Sequence, residues 1–398
     1  MKSKNIEYQE KIDHLRFFAA FLILMFHGVV THFLWKPLGT DQIKATPLLD
    51  VLWEGHTAVG LFMTLSGFLF AVICKGKEVN ALRFYRNRFL RIYPLFLTFL
   101  LLACYLDQTR NGLINLLTSL FFLHNTENSV YYKWFTEVFW TIAVEFQFYL
   151  LFPFMLVFFR KYGYKYLLGL IALSNLILLT IYIAQGSVKV LSYLTIFGRI
   201  NEFVIGMIFG FLFDSLRRKL AHPAFILLAI VPVMLAASYF HTFGGLNASV
   251  NSYLWIYWPT LEGLVWGFLI VAYNASNFRL PQPLSRWLAM AGTLSFSMYM
   301  SHYFFLRTSR WFVLNIFAND QHSAWLSPLL EQLRIHPITA GLLFGICIVF
   351  PLTLLASILT YLLIEKPFLE LRSSYTRLPA TEAGGPAVRE QERVPVRV

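Results

Sequence analysis

Long apolar runs recur along this chain of 398 residues, and each is close to the length that a helix needs to cross a bilayer. Hydrophobic residues make up 57% of the chain and charged residues only 14%. Backbone polar groups inside a membrane must bond within the protein, so such runs become helices. The sequence therefore predicts an all-α polytopic membrane protein with about ten transmembrane helices. The predicted spans are 14–34, 55–74, 90–106, 139–159, 165–184, 194–213, 222–241, 253–273, 290–308 and 339–363.

Basic residues are distributed unevenly between the two sides of the predicted bundle. The loop 75–91, the turns near Arg160 and Arg217, and both chain termini are rich in Lys and Arg, whereas the alternate loops carry few. Short cytoplasmic loops are enriched in these residues, so both termini are expected in the cytoplasm. This topology accounts for the net charge of +12, and no nucleic-acid partner is expected.

The apolar runs define one predicted membrane domain, residues 1–372. Beyond it the chain is polar and rich in Pro, Gly, Arg and Glu, so residues 373–398 are expected to form a disordered cytoplasmic tail. The apolar stretch 113–123 is too short to cross and is expected to be interfacial or re-entrant. The Glu-Lys-Pro sequence at 365–367 is expected to end the last span, with its charges facing water at the cytoplasmic surface.

The first apolar run carries an arginine and a histidine where lipid-facing side chains are expected. Arg16 and His27 are eleven residues apart, which places them within about 20° on one helix face and about 16 Å apart along its axis. Ionisable groups at membrane depth are costly and are functional candidates by default. The alternatives are an interfacial anchor for Arg16 and a hydrogen-bonded helix contact for His27.

Other spans place polar residues in the outer half of the membrane, at a depth similar to that of His27. Polar groups from five helices at one level indicate a walled cavity, because such groups avoid lipid. The residues that join His27 at this level are Glu145, Arg199, Glu202, Glu262 and His302.

Each of these polar residues also has a structural alternative. Glu145 can pair with Arg199, which would neutralise two buried charges. Arg199 can instead pair with Glu202, which lies one helical turn away. Glu262 and His302 can form hydrogen bonds between helices. The sequence leaves these alternatives open.

A pair of arginines marks the cytoplasmic end of the predicted third span. Arg88 and Arg91 are three residues apart and share one helix face. Guanidinium groups bind phosphate oxygens well, and coenzyme A carries phosphates at one end and a thioester at the far end of its pantetheine arm. The gap of about 16 Å between Arg16 and His27 is comparable with that arm. The alternative for both arginines is a role as positive-inside anchors.

Five motifs in order resemble the acyltransferase-3 family of integral membrane acyltransferases. They read IDHLRFFAAFLILMFH, RFLRIYP, FWTIAVEFQFYLLFP, SFSMYMSHYFF and IEKPF. The resemblance covers roughly residues 10–370. Family members often have glycines where this chain has His14 and Phe17, and a second acidic residue where it has Phe146. The changes at His14 and Phe17 bear on helix packing. The change at Phe146 means that a role of the second acidic residue cannot apply to this chain.

The resemblance implies roles for individual residues. His27 matches the catalytic histidine of the family, and Arg16 matches its partner eleven residues earlier. Arg88 and Arg91 match the arginines implicated in coenzyme A binding. Glu145 matches the glutamate of the family's W-S-x-x-V-E-x-Q-F-Y-L pattern. His302 lies where the ninth-span motif often ends in histidine, and these matches need no metal.

Together these observations predict a membrane O-acyltransferase. The expected reaction moves an acyl group, in the simplest case acetyl, from cytoplasmic acyl-CoA to a hydroxyl of a cell-surface or lipid-linked sugar. His27 is the expected base, and Glu145 is expected to orient or polarise it. Direct attack and an acyl-histidine intermediate both remain open. The residues expected to contact the acceptor are His302, Arg199, Glu202 and Glu262.

The expected partners are acyl-CoA, the lipid bilayer, and a sugar, polysaccharide or glycolipid acceptor such as an exopolysaccharide or O-antigen. The expected location is the bacterial inner membrane. The alternative function is a glycolipid transporter or flippase that uses the same polar cavity as a substrate path.

Overall fold

The fold is described from a computed structural model of the chain. The structure describes residues 5, 9–28, 46–108, 112–125, 136–247, 251–318 and 337–378. Helices account for most of this part of the chain, and one two-residue strand pair, Glu78–Val79 with Thr376–Arg377, joins the loop before the helix Ala81–Leu106 to the segment after the last span. The prediction of an all-α polytopic membrane protein is confirmed.

Sixteen α-helices follow one another along the described residues. They are α1 (Glu10–Phe26), α2 (Pro47–Trp53), α3 (Ala58–Cys74), α4 (Ala81–Leu106), α5 (Leu113–Leu120), α6 (Phe139–Tyr162), α7 (Tyr164–Gln185), α8 (Lys189–Leu194), α9 (Ile196–Arg217), α10 (Ala224–Thr242), α11 (Leu254–Ala275), α12 (Gln282–Thr293), α13 (Ser295–Ala318), α14 (Pro337–Phe344), α15 (Phe350–Thr360) and α16 (Lys366–Glu370). The π-helical turns Gly345–Val349 and Tyr361–Glu365 connect the last three helices.

Eight helices in the described residues are long and apolar enough to cross a membrane. They correspond to eight of the ten predicted spans. The other two predictions, 14–34 and 290–308, fall on α1 and on the α12–α13 pair, which is interrupted at Leu294. Residues 29–34 lie outside the described residues. Helix α5 has eight residues, so it is too short to cross, as predicted.

The two ends of the described chain lie on the same side of the bundle. Strand β1 (Glu78–Val79), in the loop before α4, pairs in antiparallel register with strand β2 (Thr376–Arg377). The side chain of Asn5 accepts a hydrogen bond from the backbone of Tyr375 at 2.9 Å, and Lys77 donates to the Asn5 carbonyl at 3.3 Å. This arrangement agrees with a topology in which both termini are cytoplasmic.

The first residues of the predicted tail are held against the bundle. Ser373 donates its backbone N–H to Asn87 at 3.1 Å, and Tyr375 is fully buried. The remainder of the predicted tail, 379–398, lies outside the described residues. The boundary between membrane domain and tail therefore stays a prediction.

Helices α3 and α9 form the closest helix pair of the bundle because glycines let their backbones touch. A Cβ atom on Gly206 would lie 2.0 Å from the carbonyl oxygen of Thr64, and one on Gly67 would lie 2.0 Å from that of Phe203. Small residues allow such close approach between membrane helices. This contact fixes the position of α9, and α11 packs beside α9. The contact between α3 and α9 therefore holds several buried polar residues of α9 and α11 in place.

We predict that Gly206→Leu destabilises the bundle, because its side chain would meet backbone atoms that cannot move aside. Overpacking of this kind costs about 1–3 kcal/mol or more. The expected result is a lower unfolding temperature and less folded protein in detergent, measured by thermal unfolding and gel filtration. Gly169→Leu on α7 is the matched control, since nothing lies within 4 Å of its Cβ position. Equal stability of the two variants would contradict the packing argument.

Candidate active site

A cavity of about 230 Å³ lies among α1, α3, α4, α6, α13 and the last span. One end of the cavity is basic, since four arginines line it, and its other, deep end is bounded by hydroxyl groups and apolar side chains. The arginines are Arg16, Arg88, Arg91 and Arg372. The structure thus brings three arginines predicted from the sequence into one cavity, together with a fourth.

Two of these arginines are held by carboxylates. Arg16 donates to Asp13, three residues earlier on α1, at 2.7 Å. Arg91 donates to Glu365 at 2.9 Å. Each pair keeps a guanidinium at the cavity wall while part of its charge is balanced, which lowers the cost of placing that charge in the protein.

The position of Glu365 corrects the expectation that its charge faces water. Glu365 is only 2% exposed, and Ser297 donates a hydrogen bond to the carboxylate oxygen that Arg91 does not contact. The prediction was wrong because Pro367 does not stop the helix. It occupies the first turn of α16, where a missing N–H costs little, and the π-helical turn before it places Glu365 inside the bundle.

Arg88 is held by aromatic rings. Its guanidinium carbon lies 4.9 Å from the ring centre of Phe70, 5.4 Å from Phe84, 5.6 Å from Tyr149 and 6.0 Å from Tyr375. Among the described residues, no carboxylate lies within ion-pair distance of Arg88. Ring faces attract a cation without neutralising it. The positive charge therefore remains available to an anion in the cavity.

Arg372 is the cavity arginine that the sequence analysis missed. It follows α16, and its Nε donates to the carbonyl oxygen of Leu369 at 3.0 Å. Burial, together with the charges of Arg91 and Arg88, lowers the pKa of Arg372 to about 10. The arginines thus repel one another at this end of the cavity, and a bound anion would relieve that repulsion. No motif spacing in the sequence marks this residue.

Glu145 lies on the cavity wall between the basic end and the deep end. Tyr149, one turn further along α6, donates a hydrogen bond to its carboxylate. The structure thus places Glu145 beside the arginines with Tyr149 as its hydrogen-bond partner, and its contacts do not include His27 or Arg199. Tyr149 was not identified from the sequence, although its i+4 spacing from Glu145 is the expected signal.

The deep end of the cavity is bounded by Thr141 and Tyr299, whose hydroxyls are hydrogen-bonded at 2.7 Å. His302 follows Tyr299 by one turn of α13, and its Nδ1 lies 2.7 Å from the Tyr299 carbonyl oxygen. His27 lies next to it, with 3.0 Å between His27 Nδ1 and His302 Nε2 and with the two rings stacked at 5.0 Å. The structure therefore brings His27 and His302 together, one turn beyond the cavity.

The hydrogen bonds around this imidazole pair identify which nitrogens carry protons. A carbonyl oxygen only accepts, so His302 Nδ1 must donate to Tyr299. In a neutral His302 the other nitrogen, Nε2, is then the acceptor, and His27 Nδ1 must be the donor. The lone pair of a neutral His27 is consequently on Nε2. Tyr299 and His302 thus orient His27 with its basic nitrogen directed away from the pair.

Arg199, Glu202 and Glu262 form a separate buried cluster. Arg199 donates to Glu202 at 2.5 Å and to Glu262 at 3.2 Å, and all three side chains are almost fully buried. None of them lines the cavity. Arg199 makes the local ion pair with Glu202 that was the structural alternative in the sequence analysis. The structure groups these residues with each other and not with His27.

A second buried cluster, unnoticed in the sequence, lies near the outer end of the bundle. Glu54 lies 3.0 Å from His56 Nε2 and 2.9 Å from His241 Nδ1. Burial opposes ionisation of Glu54, but the hydrogen bonds from His241 and His56 outweigh it and lower its pKa. The ring of His56 packs against Phe26 at 5.3 Å. The cluster therefore supports the end of α1, directly before His27.

Comparisons with known proteins identify the family of this chain. A family model described as an acyltransferase domain, that of acyltransferase 3, matches residues 9–362. Acyltransferase MdmB of Streptomyces mycarofaciens is 37% identical over 89 residues, which is 22% of this chain and 21% of that protein. The match thus spans about a fifth of the length of that curated relative. No solved structure matches the chain significantly.

The fold and the site define a polytopic membrane protein in which an imidazole pair, partly buried His27 and buried His302, adjoins a cationic cavity. Because the family model covers nearly the whole chain, the chain belongs to the acyltransferase-3 family, as the five motifs predicted.

We predict that His302→Leu lowers kcat of acyl transfer about 100-fold or more, because His27 loses the acceptor that fixes its tautomer. His302→Gln is expected to keep more of the activity, since its amide oxygen can accept from His27 Nδ1. The measurement is transfer of labelled acyl groups as a function of pH, with unfolding temperature and donor binding as controls. Full activity of His302→Leu would rule out the orienting hydrogen bond.

Proposed function

We propose that this protein transfers an acyl group, in the simplest case acetyl, from cytoplasmic acyl-CoA to a hydroxyl of a cell-surface or lipid-linked sugar. The observation that carries the proposal is the cationic cavity, which extends from the cytoplasmic side to within one helical turn of the imidazole pair. Family membership supports acyl transfer, and the cavity supports a phosphate-bearing donor.

The basic end of the cavity suits the phosphates of coenzyme A. In the proposed complex Arg88 and Arg372 bind phosphate oxygens directly, while Arg16 and Arg91 add donors from carboxylate-held positions. Guanidinium forks match phosphate geometry, and bonds between charged groups are stronger than neutral ones. The pantetheine arm extends toward Thr141 and Tyr299, a path comparable with the roughly 16 Å of helix axis between Arg16 and His27.

His27 is the proposed base, acting through Nε2. As the acceptor oxygen attacks the thioester carbonyl, Nε2 takes the hydroxyl proton. The tetrahedral intermediate then collapses, the C–S bond breaks, and His27 returns the proton to the coenzyme A sulfur. The products are an ester and free coenzyme A. Glu145 and Tyr149 are proposed to line the path of the donor arm.

The proposed donor and the proposed acceptor lie on opposite faces of a membrane. Acyl-CoA is a cytoplasmic metabolite, whereas the proposed acceptor is an exopolysaccharide or O-antigen sugar on the outer side. The bacterial inner membrane has this arrangement, and it is the location we propose. A transporter of glycolipids, the alternative function, would move its substrate without forming an ester.

We predict that His27→Ala abolishes transfer of [¹⁴C]acetyl groups from acetyl-CoA to membrane glycans, a loss of about 100-fold or more, because a positioned base is removed. Acetyl-CoA binding should persist, since His27 lies beyond the cavity. His222→Ala is the matched control, because His222 is exposed on the cytoplasmic side. Retained labelling in the His27 variant would reject its role. Absence of labelled glycan with the natural protein would favour the transporter.

We predict that Arg88→Gln weakens acetyl-CoA binding about tenfold or more, because a charged hydrogen bond contributes about 1.5–3 kcal/mol. Equilibrium dialysis with labelled acetyl-CoA measures the dissociation constant. Arg83→Gln on the same helix is the control, since Arg83 is exposed. Equal dissociation constants for both variants would mean that Arg88 serves only the membrane topology.

A further inference from the structure

A polar cluster lies on α13 beyond the imidazole pair, on the side opposite the cavity. The ring of Tyr303 lies 4.9 Å from that of His27, edge to face, and 5.6 Å from that of His302. Arg307 follows Tyr303 by one turn, with its guanidinium carbon 5.1 Å from the centre of the Tyr303 ring. Helix α13 therefore carries polar groups outward, directly from the proposed base.

An ion pair completes this cluster. Arg307 Nη2 donates to Glu137 Oε1 at 2.8 Å, and Glu137 lies in the short turn that leads into α6. The two side chains are 24% and 31% exposed, so both are accessible while they remain paired. The Nε of Arg307 is buried and makes no hydrogen bond within the described residues. Tyr303 also forms a side-chain hydrogen bond with Glu137. Arg307 Nε is therefore the donor that a ligand could still satisfy.

The cluster and the donor cavity approach His27 from opposite directions. The cavity ends at Thr141 and Tyr299. Glu137 precedes Thr141 by four residues, and Arg307 follows Tyr299 by eight, which places both farther outward by about 6 Å and 12 Å of helix rise. A molecule held by Glu137 and Arg307 would thus meet the base from the outer side.

We propose that Glu137 and Arg307 form the acceptor subsite and that its ligand is a saccharide. A carboxylate accepts from sugar hydroxyls, and a guanidinium donates to hydroxyl or ring oxygens. Tyr303 is buried behind the pair and connects it to His27. This inference rests on the proposed function. It differs from the sequence-based expectation, which assigned acceptor contacts to His302, Arg199, Glu202 and Glu262. The last three of these side chains are buried against each other.

The test measures acyl transfer by purified protein from [¹⁴C]acetyl-CoA to a panel of methyl hexopyranosides. For the glycoside that the natural protein acetylates best, Arg307→Gln and Glu137→Gln are each expected to raise KM about tenfold or more, with kcat within about threefold. The dissociation constant of acetyl-CoA should stay unchanged. Unfolding temperatures identify any variant whose fold is damaged.

The exchanged pair, Glu137→Arg with Arg307→Glu, separates binding from a structural role. An ion pair that only joins α6 to α13 would be restored by the exchange, and KM would return to its natural value. A saccharide subsite would not be restored, because donors and acceptors would have changed places. Lys75→Gln is the matched control, since Lys75 forms an exposed pair with Asp214 on the cytoplasmic side.

Two results would overturn the inference. One is an unchanged KM in both single variants, and the other is recovery of KM in the exchanged pair. A natural protein that acetylates none of the glycosides would instead contradict the saccharide acceptor of the proposed function. That failure is distinguishable, because it appears before any variant is measured.

Discussion

The cost of placing charge inside a membrane determines how this bundle is arranged. A buried charge needs a partner of opposite sign, a polarisable surface or a water-filled space. Arg199 has the first, because Glu202 and Glu262 surround it. Arg88 has a polarisable surface and an open space, because aromatic rings hold it at the wall of a cavity. The same physical demand therefore produces a closed structural cluster in one place and an open cationic site in another.

The imidazole pair lies between the proposed donor cavity and the proposed acceptor subsite. His27 uses Nδ1 to bond His302, so the proposed proton transfer is confined to Nε2. The basic cavity ends one helical turn short of the pair, and the Glu137–Arg307 pair lies on the opposite side of it. This arrangement suits the proposed reaction, in which a cytoplasmic donor and an acceptor beyond the membrane meet without either crossing the bilayer.

The sequence predicted the helices better than their mutual contacts. Bilayer thickness fixes the length of a span, so apolar runs gave the spans closely. Depth along a helix could be counted too, but depth does not say which neighbour a side chain faces. Arg199 and His27 were therefore placed together although they belong to different clusters. Arg372 follows the last span and has no motif around it. The prediction that Glu365 faces water was wrong, because a proline in the first turn of a new helix does not end the span.

Tyr299 connects the cationic cavity to the orientation of His27, the proposed base. Its hydroxyl, bonded to Thr141, bounds the deep end of the cavity, while its backbone carbonyl fixes the proton of His302. In the proposed reaction, a donor arm that reaches the end of the cavity meets this hydroxyl pair first. A displacement of Tyr299 there would pass through one hydrogen bond to His302 and a second to His27, and so to the nitrogen proposed to accept the proton. In this proposal, donor position and base orientation both depend on Tyr299, a residue that carries no charge.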